Sequence, residues 1–296
     1  MHFQIVDTEA AYRRLLEAPD AAAREAIFRA ELVAPFEGLV RAFGGGDGLE
    51  AFARWGMSPE QFAGEQRGRM AAAVDALAAH DAWGRCAAAL ERGWAAFGRY
   101  AERIPLEQIV FGLLLADMSR VPGQRGYSGF GGIPGWIMTV YDRPDDYTLA
   151  RIEAATVHEL HHNLFGAAFP DRPMIATVGD YIVGEGLAES FATELYGEEV
   201  AGWFVTDFDE ALLDQTRAAF RGALELGGFD TVRAYIFGDE IAESMGRPKV
   251  GVPPYAGYAI GYRVVQAYLR RTGASVVDAT FVPAREIIAE SRFFDA

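Results

Sequence analysis

The string His158-Glu159-Leu160-His161-His162 constrains this chain more than any other. It holds three of the five histidines. On a helix, positions i and i+4 lie on one face about 6 Å apart, so His158 and His162 can direct imidazole nitrogens at one ion about 2.0–2.1 Å from each. In that register Glu159 lies beside the shared face. Its carboxylate can reach a water on the ion without ligating the ion, which is the placement of a general base. Two imidazoles with a carboxylate suit zinc, which lowers the pKa of its water from 15.7 towards about 7. His161 points about 100° away from His162 and reads as a structural or supporting side chain.

A zinc held by two histidines needs a third protein ligand downstream. In metzincins a Gly three residues and a His six residues beyond the second histidine lead to it, but Phe165 and Ala168 stand at those positions here. Gly184-Glu185-Gly186-Leu187-Ala188-Glu189 offers a carboxylate on a second helix, with Glu185 23 positions after His162. Glu185 and Glu189 are i and i+4 neighbours. Their like charges repel by roughly a few tenths of a kcal/mol unless a cation or a histidine N–H lies over them. The alternative is a solvated acidic face that continues through Glu194, Glu198 and Glu199.

Around this motif the pattern is mostly helical. A β-like start covers 2–6, and 8–103 carries Ala, Leu, Phe and Trp at helical spacing. Gly44-Gly45-Gly46 reads as a helix stop and turn, since no Gly-Lys-Ser/Thr follows it. The apolar runs 109–115 and 135–141 predict strands, with a glycine-rich loop at 123–135 between them. Asp146 predicts the N-cap of a helix that runs to Phe165 and stops at Gly166. Further helical patterns cover about 177–196, 207–226 and 256–272, so the expected fold class is α+β.

Composition narrows the partners. With 27 basic against 42 acidic residues the formal charge is −15, and Lys249 is the single lysine, so clustered phosphate contacts and nucleic acid are not expected. Cys86 is the lone cysteine, which excludes an intrachain disulfide framework and a cysteine-rich metal site. No apolar stretch reaches 18 residues, and Asp7 and Glu9 stand where a signal peptide needs its apolar run. These features predict a cytoplasmic protein without membrane insertion.

H-E-x-x-H followed by E-G-L-A-E resembles the gluzincin metallopeptidases. Their third zinc ligand is a Glu on the following helix, and an acid four residues later supports a ligating histidine. The resemblance implies that Glu185 is the third ligand and Glu189 the supporting acid. Gly184-Glu185-Gly186-Leu187-Ala188 is similar to the N-E-G-F-A string of the alanyl-aminopeptidase and leukotriene-hydrolase group. More closely, Val157-His158-Glu159-Leu160-His161-His162-Asn163, Glu185-Gly186-Leu187-Ala188-Glu189 and Gly257-Tyr258-Ala259-Ile260-Gly261-Tyr262-Arg263 resemble a bacterial family of predicted zinc-dependent proteases that carries a domain-of-unknown-function label. That resemblance extends over about 105–291, including Gly131-Gly132-Ile133-Pro134-Gly135 and Ser291-Arg292-Phe293-Phe294.

The family implies a helix-rich, zincin-like α+β fold of gluzincin type, with a small sheet and an active-site cleft between two lobes. Residues 1–104 then form a mainly helical N-terminal region, and 105–296 the catalytic region with a helical C-terminal lobe. The implied activity is peptide-bond hydrolysis on peptide or protein substrates, by a zinc-bound water that Glu159 activates. Tyr258, three residues before Gly261, matches the oxyanion donor of aminopeptidase-like gluzincins, with Tyr255 and Tyr262 as competitors. Arg263 either binds a substrate carboxylate or pairs with a buried acid. By the same resemblance the strand at 135–141 edges the cleft and pairs with an extended substrate. The G-x-M-E-N string that holds a free N-terminus in aminopeptidases is absent. Two alternatives stand beside this reading: a non-catalytic zinc- or peptide-binding protein with a zincin fold, against which Glu159 argues, and a zinc hydrolase of non-peptide amide bonds.

Overall fold

The apolar run at 109–115 has no polar face to give to water, so as a strand it must be covered on both sides. In the computed structural model, which describes residues 1–119, 125–172, 176–244 and 246–295, this run lies in β2 (Gln108–Leu115). β2 is an inner strand of a four-stranded sheet ordered β1-β2-β4-β3, where β1 is His2–Ile5, β3 Tyr127–Ile133 and β4 Trp136–Tyr141. β1 and β4 run parallel to β2, and β3 is antiparallel to β4.

The three strands expected at 2–6, 109–115 and 135–141 are present, and two expectations need correction. The segment at 123–135 is not all loop: β3 occupies Tyr127–Ile133, while residues 123 and 124 lie outside the described residues. Its glycines lower strand propensity, but a Cβ on Gly129 would stand 2.3 Å from Glu159 Oε1, and one on Gly131 2.0 Å from the Glu159 carbonyl oxygen. Glycine is there because Glu159 passes too close for a side chain, with its carboxylate at Gly129 and its backbone at Gly131. Second, the strand at 135–141 has no free edge with which to pair an extended substrate. β4 is flanked by β2 and β3, and β3 is the edge strand.

Two compact units divide the chain, Met1–Leu164 and Phe165–Ala296. The first holds the sheet and helices α1 (Thr8–Glu17), α2 (Ala21–Ile27), α3 (Glu37–Ala42), α4 (Gly48–Arg54), α5 (Arg67–Ala79), α6 (Ala82–Ala96) and α7 (Asp146–Leu149). The division falls inside α8 (Ile152–Ala168). Thr8 ties α1 to the sheet, its hydroxyl donating to the Leu113 carbonyl at 2.6 Å and accepting from Trp83 Nε1 at 2.8 Å. The Tyr12 hydroxyl accepts the Leu115 N–H at 2.9 Å, so α1 satisfies the end of β2. After α3 the chain turns through Gly44, Gly45 and Gly46, all at positive φ, as expected for a helix stop.

The helix expected from Asp146 is two helices. Asp145, not Asp146, is the cap: its carboxylate accepts the Thr148 N–H at 2.8 Å, while Thr148 Oγ1 accepts the Asp145 N–H at 2.9 Å. That closed box holds the single turn of α7. The chain restarts at Ile152, and α8 runs through Gly166 to Ala168. Helix-interior glycine costs only about 1 kcal/mol, which neighbouring packing offsets.

The second unit holds α9 (Val178–Tyr196), α10 (Trp203–Thr206), α11 (Leu213–Arg221), α12 (Phe229–Phe237), α13 (Asp239–Ser244), α14 (Ala256–Thr272), α15 (Val276–Ala279) and α16 (Ala284–Ser291). α9 and α14 pack backbone to backbone. A Cβ on Gly186 would lie 2.2 Å from the Gly261 carbonyl oxygen, and one on Gly261 2.0 Å from the Ile182 carbonyl oxygen. Among the described residues no helix is long and apolar enough to cross a membrane.

Candidate metal centre

α8 buries the apolar Val157, Leu160 and Leu164 and, with them, the polar Thr156, His158, Glu159, His161, His162 and Asn163. Buried polar side chains are costly unless most of them meet partners. At the start of α8 Glu153 accepts from Arg85 of α6 at 2.5 and 2.7 Å. One turn on, the Thr156 hydroxyl donates to Cys86 Sγ at 3.3 Å. Burial pushes the Cys86 thiol up to about 12, so this cysteine is a neutral core residue.

The helical register brings His158 and His162 together, with their Nε2 atoms 3.1 Å apart and the rings at 81°. Two nitrogens bound to a tetrahedral ion at about 2.0–2.1 Å stand about 3.3 Å apart, so this spacing fits a shared cation. His161 points elsewhere, fully buried with its ring 6.0 Å from Phe97. Glu159 is 9% exposed, and its carboxylate lies against Gly129 of β3.

Asn163, the residue after the second histidine, is the positioning residue that sequence reasoning left without a role. Its Nδ2 lies 3.0, 2.8 and 2.9 Å from the carbonyl oxygens of Gly131, Ile133 and Trp136, and its Oδ1 accepts the Gly135 N–H at 2.8 Å. One side chain thus clamps the β3–β4 turn onto α8, next to Glu159. An Asn beside a Pro-Gly turn sequence was the available signal, but the two are 28 residues apart and only the fold joins them. Asn163→Ala leaves these backbone groups unsatisfied in a partly buried place, so it is expected to destabilise the protein by about 2–4 kcal/mol. Urea unfolding checks this. A loss below about 0.5 kcal/mol would mean that water replaces the amide without cost.

On α9, Glu185 and Glu189 are each 4% exposed, whereas Glu194, Glu198 and Glu199 face solvent. The first two therefore do not belong to a solvated acidic face. Glu189 Oε1 accepts the Gly202 N–H at 2.5 Å, which anchors the start of α10. Gly186, next to Glu185, is the glycine that lets α14 approach α9. Among the described residues, His158, His162 and Glu185 each offer one ligand atom, all within 4.8 Å of one another, a group that can hold a metal ion. Two imidazoles and a carboxylate, all buried, are a donor set that suits zinc.

The tyrosines at the start of α14 sit differently. Tyr255 is buried at the N-cap with φ 54°, its ring 4.4 Å from Trp203. Tyr258 is half-buried, with its ring 4.7 Å from Phe204 and 6.0 Å from Phe237. The Tyr262 hydroxyl is directed at Thr193 Oγ1 at 3.5 Å, and burial raises its pKa above the usual tyrosine value. Arg263 pairs with Glu210 and lies over the Phe208 ring, 4.9 Å from its centroid. The acid it pairs with is an exposed one, not the buried acid expected.

These features define a helix-rich α+β protein with a buried His, His, Glu group that can hold a metal. Residues 82–289 match the family described as "Predicted Zn-dependent protease (DUF2268)", and the chain belongs to that family. It is similar to "Uncharacterized protein YjfC" of Bacillus subtilis (strain 168), 41% identical over 192 residues, which are 65% of this chain and 64% of that protein. It is also similar to "Uncharacterized protein YjaZ" of the same organism, 26% identical over 147 residues, 48% of this chain and 52% of that protein. The chain thus spans less than two thirds of the length of either curated relative. No solved structure matches it.

Proposed function

We propose that this protein is a zinc-dependent metallopeptidase of gluzincin type, with its catalytic region at 105–296, acting on peptide or protein substrates. The observation that carries the reading is a buried metal-competent group with an extra carboxylate, Glu159, on the same helix. A site that only binds metal has no need of Glu159. In this reading His158, His162 and Glu185 hold the zinc, and Glu189 supports them from α9. Bound there, zinc would supply Lewis acidity for the scissile carbonyl and for a water. Glu159 takes the proton of the attacking water and gives it to the leaving amine. The Tyr258 hydroxyl donates to the developing oxyanion. Its two competitors are otherwise placed, Tyr262 towards Thr193 and Tyr255 in the core beside Trp203. An extended substrate pairs along β3, the strand with an edge to offer, in place of the inner strand β4.

Elemental analysis together with turnover of a peptide mixture tests the ligand set. Purified protein is expected to carry about one zinc per chain. His158→Ala combined with His162→Ala, or Glu185→Ala alone, should remove it, whereas Glu189→Ala should weaken zinc affinity only about 10- to 100-fold. Unchanged zinc in the double variant would overturn the reading. A stronger effect at Glu189 than at Glu185 would reassign the third ligand.

A further inference from the structure

The pleat of β3 sorts its side chains onto two faces. Gly129 and Gly131 turn towards Glu159, while Ser128 and Phe130 share the opposite face with their cross-strand partners Val140 and Met138. On that second face lies a cavity of about 770 Å³, within the size range of ligand pockets. Its wall opposite the sheet comes from residues 43–66, which precede the family match at 82–289.

The cavity has a defined chemistry. Met57, Met118 and Met138 line it as buried, adaptable apolar side chains. Phe43 stands at the aromatic side, 5.6 Å from Trp55 and 5.2 Å from Phe130 between ring centroids, and is nevertheless 53% exposed. Its exposed face leaves apolar surface that a ligand in the cavity can cover. The wall is preformed. Gly56 sits at φ +78°, its carbonyl accepting the Asp117 N–H at 2.7 Å and Gln61 Nε2 at 2.7 Å. Among the described residues that line it, Glu60, Glu65 and Asp117 stand against Arg54.

We infer that this cavity is a specificity pocket for a large apolar side chain of an extended peptide, flanked in that peptide by Lys or Arg. The inference rests on the peptidase reading above and names its substrate class. A peptide strand added to β3 continues the pleat, so neighbouring residues point alternately to the Glu159 face and to the cavity. The residue adjacent to the one at Glu159 therefore enters the trough between Phe43, Trp55 and the methionines. Its own neighbours come within reach of the carboxylates. The region before residue 82, outside the family match, thereby acquires a role in selecting substrate.

Fluorescence anisotropy with the zinc-loaded full chain carrying Glu159→Gln tests this without turnover. The probes are three fluorescein-labelled octapeptides of Ala and Ser that differ at their centres: Arg-Phe-Arg, Arg-Ala-Arg and Glu-Phe-Glu. The first is expected to bind about 10- to 100-fold more tightly than the second, the ratio set by burial of one aromatic side chain. It should also bind more tightly than the third, by a margin that shrinks with added salt. Phe43→Ala, at an exposed position, should narrow the Phe-over-Ala ratio severalfold. Glu60→Gln with Glu65→Gln should narrow the Arg-over-Glu ratio. Equal or absent binding of the three peptides, or ratios unmoved by these substitutions, overturns the pocket assignment. Discrimination by this protein with no peptide turnover by the wild type would overturn the catalytic reading and leave the pocket standing. Turnover without discrimination would do the reverse.

Discussion

Glu159→Gln is expected to lower peptide turnover by about 10² to 10⁴, the usual contribution of a positioned general base, with zinc content and fold unchanged. The substitution is suited to the site because Gln keeps the size of a side chain wedged against β3. A Cβ on Gly129 would lie 2.3 Å from Glu159 Oε1, so the strand backbone and the carboxylate already touch. Glu159→Ala would empty that contact and confound a lost base with a shifted strand. His158, His162 and Glu185 are untouched by the Gln variant, so its metal content should match the wild type. The measurement is kcat and KM on one peptide substrate alongside elemental analysis. The loss should fall on kcat, because proton transfer belongs to the transition state. If kcat stays within about threefold of wild type while zinc is retained, another group is the base and the assignment of Glu159 fails.

What the sequence made legible was local. The i, i+4 relation of His158 to His162 and of Glu185 to Glu189 follows from helix geometry alone, and the runs at 109–115 and 135–141 announce strands by being short and rich in apolar, β-branched and aromatic residues. What stayed hidden depends on residues far apart in the chain. β3 looks like a loop because Gly129 and Gly131 strip it of strand propensity, and their reason for being glycine is Glu159, about 30 residues later, whose side chain crowds Gly129 and whose backbone crowds Gly131. β4 appears able to form an edge until β2 and β3 take its two sides, and pairing order is not written in either strand's pattern. Asn163 was visible as a letter in a motif, but its clamp on Gly131, Ile133, Gly135 and Trp136 exists only once the hairpin lies on α8. The helices α12, α13 and α16 are short, and α12 and α13 lie in a stretch with frequent Gly and Pro, so periodicity had little length in which to show.

The largest effect on stability is expected at Gly261, where α14 meets α9 beside Glu185. Its Cα faces α9 so closely that an added Cβ would lie 2.0 Å from the Ile182 carbonyl oxygen and 3.3 Å from the Gly186 nitrogen. Both obstacles are helix backbone and cannot swing aside as a side chain can. Relief therefore requires α14 to move off α9, which opens the seam that includes buried Val183, Leu187, Val264 and Val265. Overpacking of this kind costs about 3 kcal/mol, and more where both partners are rigid. Gly222 supplies the contrast within the same unit: it has right-handed φ and ψ, and a Cβ there would meet its nearest atom only at 3.8 Å. Gly222→Ala should therefore be neutral or stabilise by up to about 1 kcal/mol, through the unfolded chain. The same chemical change at two glycines is thus expected to act with opposite signs in urea unfolding. Equal shifts would mean that α14 yields to a methyl group without loss. In that case the Gly186–Gly261 contact could not be what fixes α9, and Glu185 upon it, in place.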